Sequence, residues 1–238
     1  MDARKRFARL IMVAEMQGRD LLRRRLALIL LIVLPLAFYA ALTTSDRHQA
    51  VIPGGIAIAF AVGGASIFSV LSSRQADQRL VLAGFGPWEL VAGRLMFLEV
   101  LGLPVAGASA AVMAAVSSPE HPWMLGLAVW LVAFIAVPFG LTIGTLVPQE
   151  LEATLVLIGV VGIQLSLSGN AVVARVLPFW GARRLIDVAL GGSFSIPRLI
   201  LACMAYAALL FALSLILMTG RLRVRRPVPM PGVPWGSA

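Results

Sequence analysis

Apolar residues run in blocks long enough to cross a bilayer, separated by short polar segments. The blocks fall at about 26–42, 51–71, 90–116, 124–147, 155–169 and 199–219. Crossing a hydrocarbon core about 30 Å thick takes roughly 20 helical residues. In lipid the backbone must satisfy its own polar groups, and a helix does so within one segment. The pattern therefore predicts an all-α membrane protein with six transmembrane helices. Pro35 predicts a kink in the first span, and Gly102 with Pro104 a break in the third. Small residues in the second span (Gly54, Gly55, Gly63, Gly64, Ala65) and the Gly140/Gly144 pair in the fourth permit close helix packing.

Three polar segments carry their own pattern. Over 4–22, Phe7, Leu10, Ile11, Ala14 and Leu21 keep helical spacing while Arg6, Arg9 and Arg19 take other faces, which predicts an interfacial amphipathic helix within 1–25. Between the second and third spans, Asp77, Gln78 and Arg79 precede Leu80, Leu82 and Phe85. Gly84, Gly86 and Pro87 then make a turn, and Trp88-Glu89-Leu90 opens the next helix. A mere connection needs no leucines and phenylalanine of this kind; they point to a docking surface or to the lipid interface. After the fifth span, Val172–Leu177 and Gly181–Leu190 read as two short helices broken at Pro178-Phe179-Trp180, with Trp180 suited to the outer interface.

Composition sharpens the class. The chain is 60% hydrophobic and only 13% charged, against roughly 25% charged in soluble domains. The net charge of +9 does not point to nucleic acid, because the basic residues flank the spans instead of forming one soluble face. They set the orientation. With both termini in the cytoplasm, inner segments hold fifteen Lys and Arg and outer ones five. Arg23–Arg25 before an apolar run imitates a secretory signal, but the long polar lead and the lack of a small-x-small cleavage site favour a retained first span. The proline-rich segment 221–238 reads as an extended cytoplasmic tail.

Candidate chemistry is sparse. Cys203 is the single cysteine, and His48 and His121 lie in separate loops without neighbouring ligands, so no metal site is expected. Lys5 is the single lysine and sits in no glycine-rich loop, so the chain lacks a phosphate-binding P-loop. Glu99 is the one carboxylate well inside a span; it reads either as a gating or cation-recognising group or as a structural partner of Arg94 or another helix. Gln164 is a comparable polar point. Arg183 and Arg184, with Arg175, face lipid headgroups or an anionic substrate. A stand-alone secondary transporter or channel would show more intramembrane charge or repeated halves, and a membrane-embedded enzyme would show matched catalytic groups.

The segment Arg79-Leu80-x-Leu82-Ala83-Gly84-x-Gly86-Pro87-Trp88-Glu89-Leu90-x-x-Gly93-Arg94 resembles the one after the second span of ABC-2 type transporter permeases. The order of elements along the chain is similar to that family as well. The resemblance implies an N-terminal elbow helix, a coupling helix over 75–86, and short re-entrant helices between the fifth and sixth spans. It implies that Asp77, Arg79, Leu82, Phe85, Trp88 and Glu89 pass ATPase movement to the spans, and that Glu99, Gln164, Arg183 and Arg184 lie on the path or gate. The chain would be an exporter subunit of the plasma membrane for a drug, lipid or lipid-linked molecule. It would pair with a second permease, as a homodimer or heterodimer, and with a cytoplasmic ATPase that binds ATP and Mg2+. It would bind no cofactor itself.

Overall fold

The computed structural model describes residues 12, 13, 15, 16, 18, 25–43, 47–167 and 172–222 of the 238. The helices in chain order are α1 (Arg25–Leu42), α2 (Arg47–Ser72), α3 (Arg74–Leu82), α4 (Pro87–Ser117), α5 (Pro122–Leu146), α6 (Glu150–Ser166), α7 (Trp180–Ala189) and α8 (Ile196–Leu222), with a 3-10 turn at Val173–Val176. Among the described residues four helical segments are long and apolar enough to cross a membrane: Gln49–Ser72 of α2, and all of α4, α5 and α8. The chain is thus an all-helical membrane protein. At 18 and 17 residues, α1 and α6 are shorter. The amphipathic helix expected over 4–22 is described only at five helical positions. The tail beyond Leu222 lies outside the described residues, as do Ser168, Gly169 and Asn170.

Local chemistry sets most boundaries. Pro87 and Pro122 open α4 and α5, where a missing N–H costs nothing. Gly84 takes φ +94 in the turn before α4, a region closed to most side chains. The Glu89 carboxylate accepts the Gly86 N–H at 3.2 Å, satisfying one donor that the helix leaves free. One expectation changes. The third span is not broken at Gly102 and Pro104: α4 runs through both. Without water to compete for the freed carbonyl, neighbouring turns hold the helix together. A Cβ at Gly102 would make only ordinary contacts, 3.6 Å from Ala133 and 3.8 Å from Val62. The connection between α5 and α6 is short, because α6 begins at Glu150. Glu150 and Glu152 stand in its first turn, where carboxylates favour the positive end of the helix.

α2 and α5 form the centre. Of their most apolar stretches 67% and 72% are buried, against 33% in α4 and 28% in α8. Their contact is backbone-close. A Cβ on Gly140 would strike the Gly63 carbonyl oxygen, and one on Gly144 would lie 3.2 Å from the Ile67 backbone. Gly63 meets Gly140 as Ile67 meets Gly144, so the two helices run parallel. α1, α4 and α6 run the other way between the same two ends.

The two short helices sit at opposite ends. α3 joins the last residues of α2 to the first of α4. α7 is seated among α2, α5 and α8. Ile186 lies 2.6 Å from where a Cβ of Gly55 would stand, and Gly181 admits Cys203 Sγ at 2.7 Å from its own absent Cβ. Phe179 packs edge-on against Phe139 at 5.8 Å. The two short pieces expected after the fifth span are therefore present, the first as a single 3-10 turn.

Gly140→Leu should lower the unfolding midpoint in detergent sharply, since overpacking a well-filled contact costs about 1–3 kcal/mol or more. Gly64→Leu should be tolerated, because nothing lies within 4 Å of a Cβ there. Equal losses in circular-dichroism melts would contradict the α2–α5 contact as the core.

Candidate functional site

α3 follows α2 after a single residue, Ser73, and each of its faces has a different use. On the inner face Asp77 turns both carboxylate oxygens to Arg94 Nη2 of α4, each at 2.9 Å. The same nitrogen donates to Ser73 Oγ at 2.5 Å, and that hydroxyl donates back to the Ser69 carbonyl at 2.7 Å. Arg94 is 1% exposed and Asp77 4%. An isolated cation so enclosed would be very costly, so the carboxylate is what permits Arg94 there. The pair closes α3 against α4.

On a second face Arg74 caps α5. Its guanidinium donates to the carbonyls of Gly144 (3.1 Å), Val147 (3.2 Å) and Pro148 (3.0 Å). These groups lie at the negative end of α5, which leaves its last carbonyls without helical partners. Arg221, in the last turn of α8, donates to the Thr145 carbonyl at 3.1 Å. Burial and the nearby Arg221 charge both lower the Arg74 pKa, burial the more.

The third face is outward. Leu82 is 73% exposed and Trp88 46%; Arg79 is exposed and Phe85 half-buried. A groove of about 440 Å³, lined by Met16, Ser72, Gln75, Ala76, Arg79 and Leu80, separates α3 from the N-terminal helical positions. Gly18 in turn approaches Phe97 of α4, whose ring would lie 3.1 Å from a Cβ there. Six residues of this region were expected to face a partner. The structure leaves Arg79, Leu82, Phe85 and Trp88 accessible and buries Asp77 and Glu89, which hold the loop in shape.

Of the four residues expected along a path, Gln164, Arg183 and Arg184 come together and Glu99 stands apart. Arg183 donates to the carbonyls of Gln164 and Leu167 at 2.5 Å each, capping α6 as Arg74 caps α5. Arg184 pairs with Asp187 at 3.1 Å and lies over the Phe194 ring at 4.6 Å. Both are engaged by the fold. Glu99 is half-buried, its Oε1 has no partner, and Arg94 is committed to Asp77 instead. Gln164 is fully buried with neither amide atom partnered. α4 and α6 each pack on α2 and α5 and not substantially on each other, so Glu99 and Gln164 are not brought together.

Sequence reasoning passed over Ser73, Arg74 and Arg221 as individual groups. Their one visible signal is position, since a basic residue at the end of a span is placed to reach helix carbonyls. No family model matches the chain, and no curated protein matches it in sequence.

Asp77→Ala should destabilise the protein by about 3–5 kcal/mol, the usual cost of stranding one member of a buried pair. Replacing both members with apolar residues, Asp77→Leu with Arg94→Met, should recover much of the loss. Denaturant unfolding in micelles checks this, and additive losses would contradict the pairing.

Proposed function

We propose that this protein is the permease subunit of an ABC-2 type exporter, working with a separate cytoplasmic ATPase and a second permease. The observation behind the reading is α3. An element that transmits force must be joined stiffly to the spans and still offer a surface to its driver. α3 is tied to α4 through Asp77–Arg94 and to α5 through Arg74, while Leu82 and Trp88 stand free. A partner's contact would fall on Arg79, Leu82, Phe85 and Trp88. The cargo that fits apolar walls is a drug, lipid or lipid-linked molecule in the plasma membrane, and ATP with Mg2+ would belong to the partner chain.

The same reading takes the chain across the membrane six times. α1 and α6 extend about 27 and 26 Å at 1.5 Å per residue, only slightly short of the hydrocarbon core. They alternate in direction with their neighbours, and the excess of basic residues puts the α3 end in the cytoplasm. α7 with the 3-10 turn would then be the outer, re-entrant pair.

Two experiments test this. Leu82→Glu should weaken co-purification with the cognate ATPase by roughly 30-fold, as loss of an interface anchor worth about 2 kcal/mol does, without lowering the unfolding midpoint. Full transport by the chain in proteoliposomes lacking any ATPase would instead identify a stand-alone secondary transporter. On a Cys203→Ala background, cysteine at Gln75 should react with an impermeant maleimide only from the cytoplasmic side, and cysteine at Ser195 only from outside. The opposite labelling would invert the topology.

A further inference from the structure

Beside the α5 terminus lies a cavity of about 60 Å³ whose wall includes Arg74, Asp77, Gln78, Thr145, Met218 and Arg221. A water needs about 10–15 Å³ of such space, so there is room for a larger polar group. The charges in the wall do not balance. Asp77 is the one carboxylate, and its charge is taken up by Arg94 at 2.9 Å. Arg74 and Arg221 therefore share the cavity as two cations, and among the described residues neither has a carboxylate within ion-pair distance.

Their donors are also incompletely used. A guanidinium carries five N–H groups. Arg74 gives bonds to three carbonyls at and just beyond the end of α5, and its Nε is buried without a partner. Arg221 gives one bond, to Thr145. Both arginines donate to carbonyls at the α5 end, yet two guanidiniums held beside each other with no carboxylate between them still repel. An anion between them would use the idle donors and relieve that repulsion.

We propose that this cavity binds a phosphate group, with Arg74 and Arg221 as its two ligating cations. All the helix ends that form it (Ser72, Leu146, Leu222) mark the edge of apolar spans, so the group arrives at headgroup depth. Basic pockets between helices at this level take anionic lipid headgroups. The sequence adds Arg223, Arg225 and Arg226 directly after α8, which raises the local anion concentration. The site ties α2, α3, α5 and α8 together, so its occupancy would stiffen the anchor of α3. The proposal requires a membrane surface at this end and does not depend on an ATPase partner.

The test uses the full chain in nanodiscs of phosphatidylcholine, with and without phosphatidylglycerol, and in detergent with inorganic phosphate. Bound phosphatidylglycerol is counted by native mass spectrometry and the unfolding midpoint is measured in parallel. Retention of phosphatidylglycerol by the wild type, reduced about fivefold in Arg221→Gln, supports a lipid headgroup. The Arg225→Gln variant, which removes the same charge from the tail, should retain it nearly as well. Protection by inorganic phosphate alone, lost in Arg221→Gln, supports the site with a free anion as its occupant. Equal behaviour of Arg221→Gln and the wild type, or equal losses in Arg221→Gln and Arg225→Gln, would overturn it. Arg221 lies at the end of α8, so its substitution leaves the α5 cap of Arg74 in place.

Discussion

The approach of α2 to α5 sets the arrangement of everything else. Lipid tails are as apolar as leucine, so helices in a membrane gain little from merely burying apolar surface and depend on close packing. Gly63 against Gly140, and Ile67 against Gly144, bring two backbones nearly into contact. This leaves a narrow, parallel pair with flanks on which α4, α6 and α8 can lean. Gly55 on α2 provides the recess that receives Ile186 of α7. The same pair thus positions a short helix at each end: α7 by direct packing, α3 by fixing where α2 stops and where the α5 carbonyls emerge.

Helix ends are the second constraint. A helix that stops near the hydrocarbon boundary leaves up to four carbonyls unpaired, with little water to take them. Arginine answers this at both ends of the bundle. Arg74 and Arg221 serve α5, and Arg183 serves α6. One guanidinium reaches two or three carbonyls because its donors diverge in a plane, a geometry an ammonium does not have. The near-absence of lysine therefore has a structural side as well as an electrostatic one. Counting positive charges by segment gives an expected orientation. It does not explain why particular arginines stand at particular helix ends.

Much of the bundle is legible in the sequence because it rests on local periodicity. Apolar blocks locate the long helices to within a few residues, Pro87 and Pro122 mark starts, and the Gly140/Gly144 pair announces a close contact. The partner of that contact is less legible. Span 2 carries five small residues, and only the three-dimensional arrangement shows that Gly63 is used against α5 while Gly64 faces open space. Proline and glycine inside α4 mislead for a physical reason, since the rule that they break helices assumes competing water. The site is harder still. Asp77 and Arg94 are 17 residues apart and Arg74 reaches carbonyls 70 to 74 residues away, and no local pattern encodes such pairings. Composition finds the charged loop but cannot separate residues that face a partner from residues that shape the loop.

That separation bears on how α3 could act on the proposed reading. A push on Leu82 or Trp88 has two stiff routes into the membrane. One runs through Asp77 to Arg94 on α4, and the other through Arg74 to the end of α5. α5 is the most buried long helix, so movement delivered there cannot be absorbed locally and must displace α2, α7 or α8. α4 is buried over only a third of its apolar stretch and yields more easily. Unequal routes of this kind turn a shove on α3 into a shear between α4 and the α2–α5 pair. The half-buried Glu99 sits on α4, the more yielding side, with one carboxylate oxygen that has no partner.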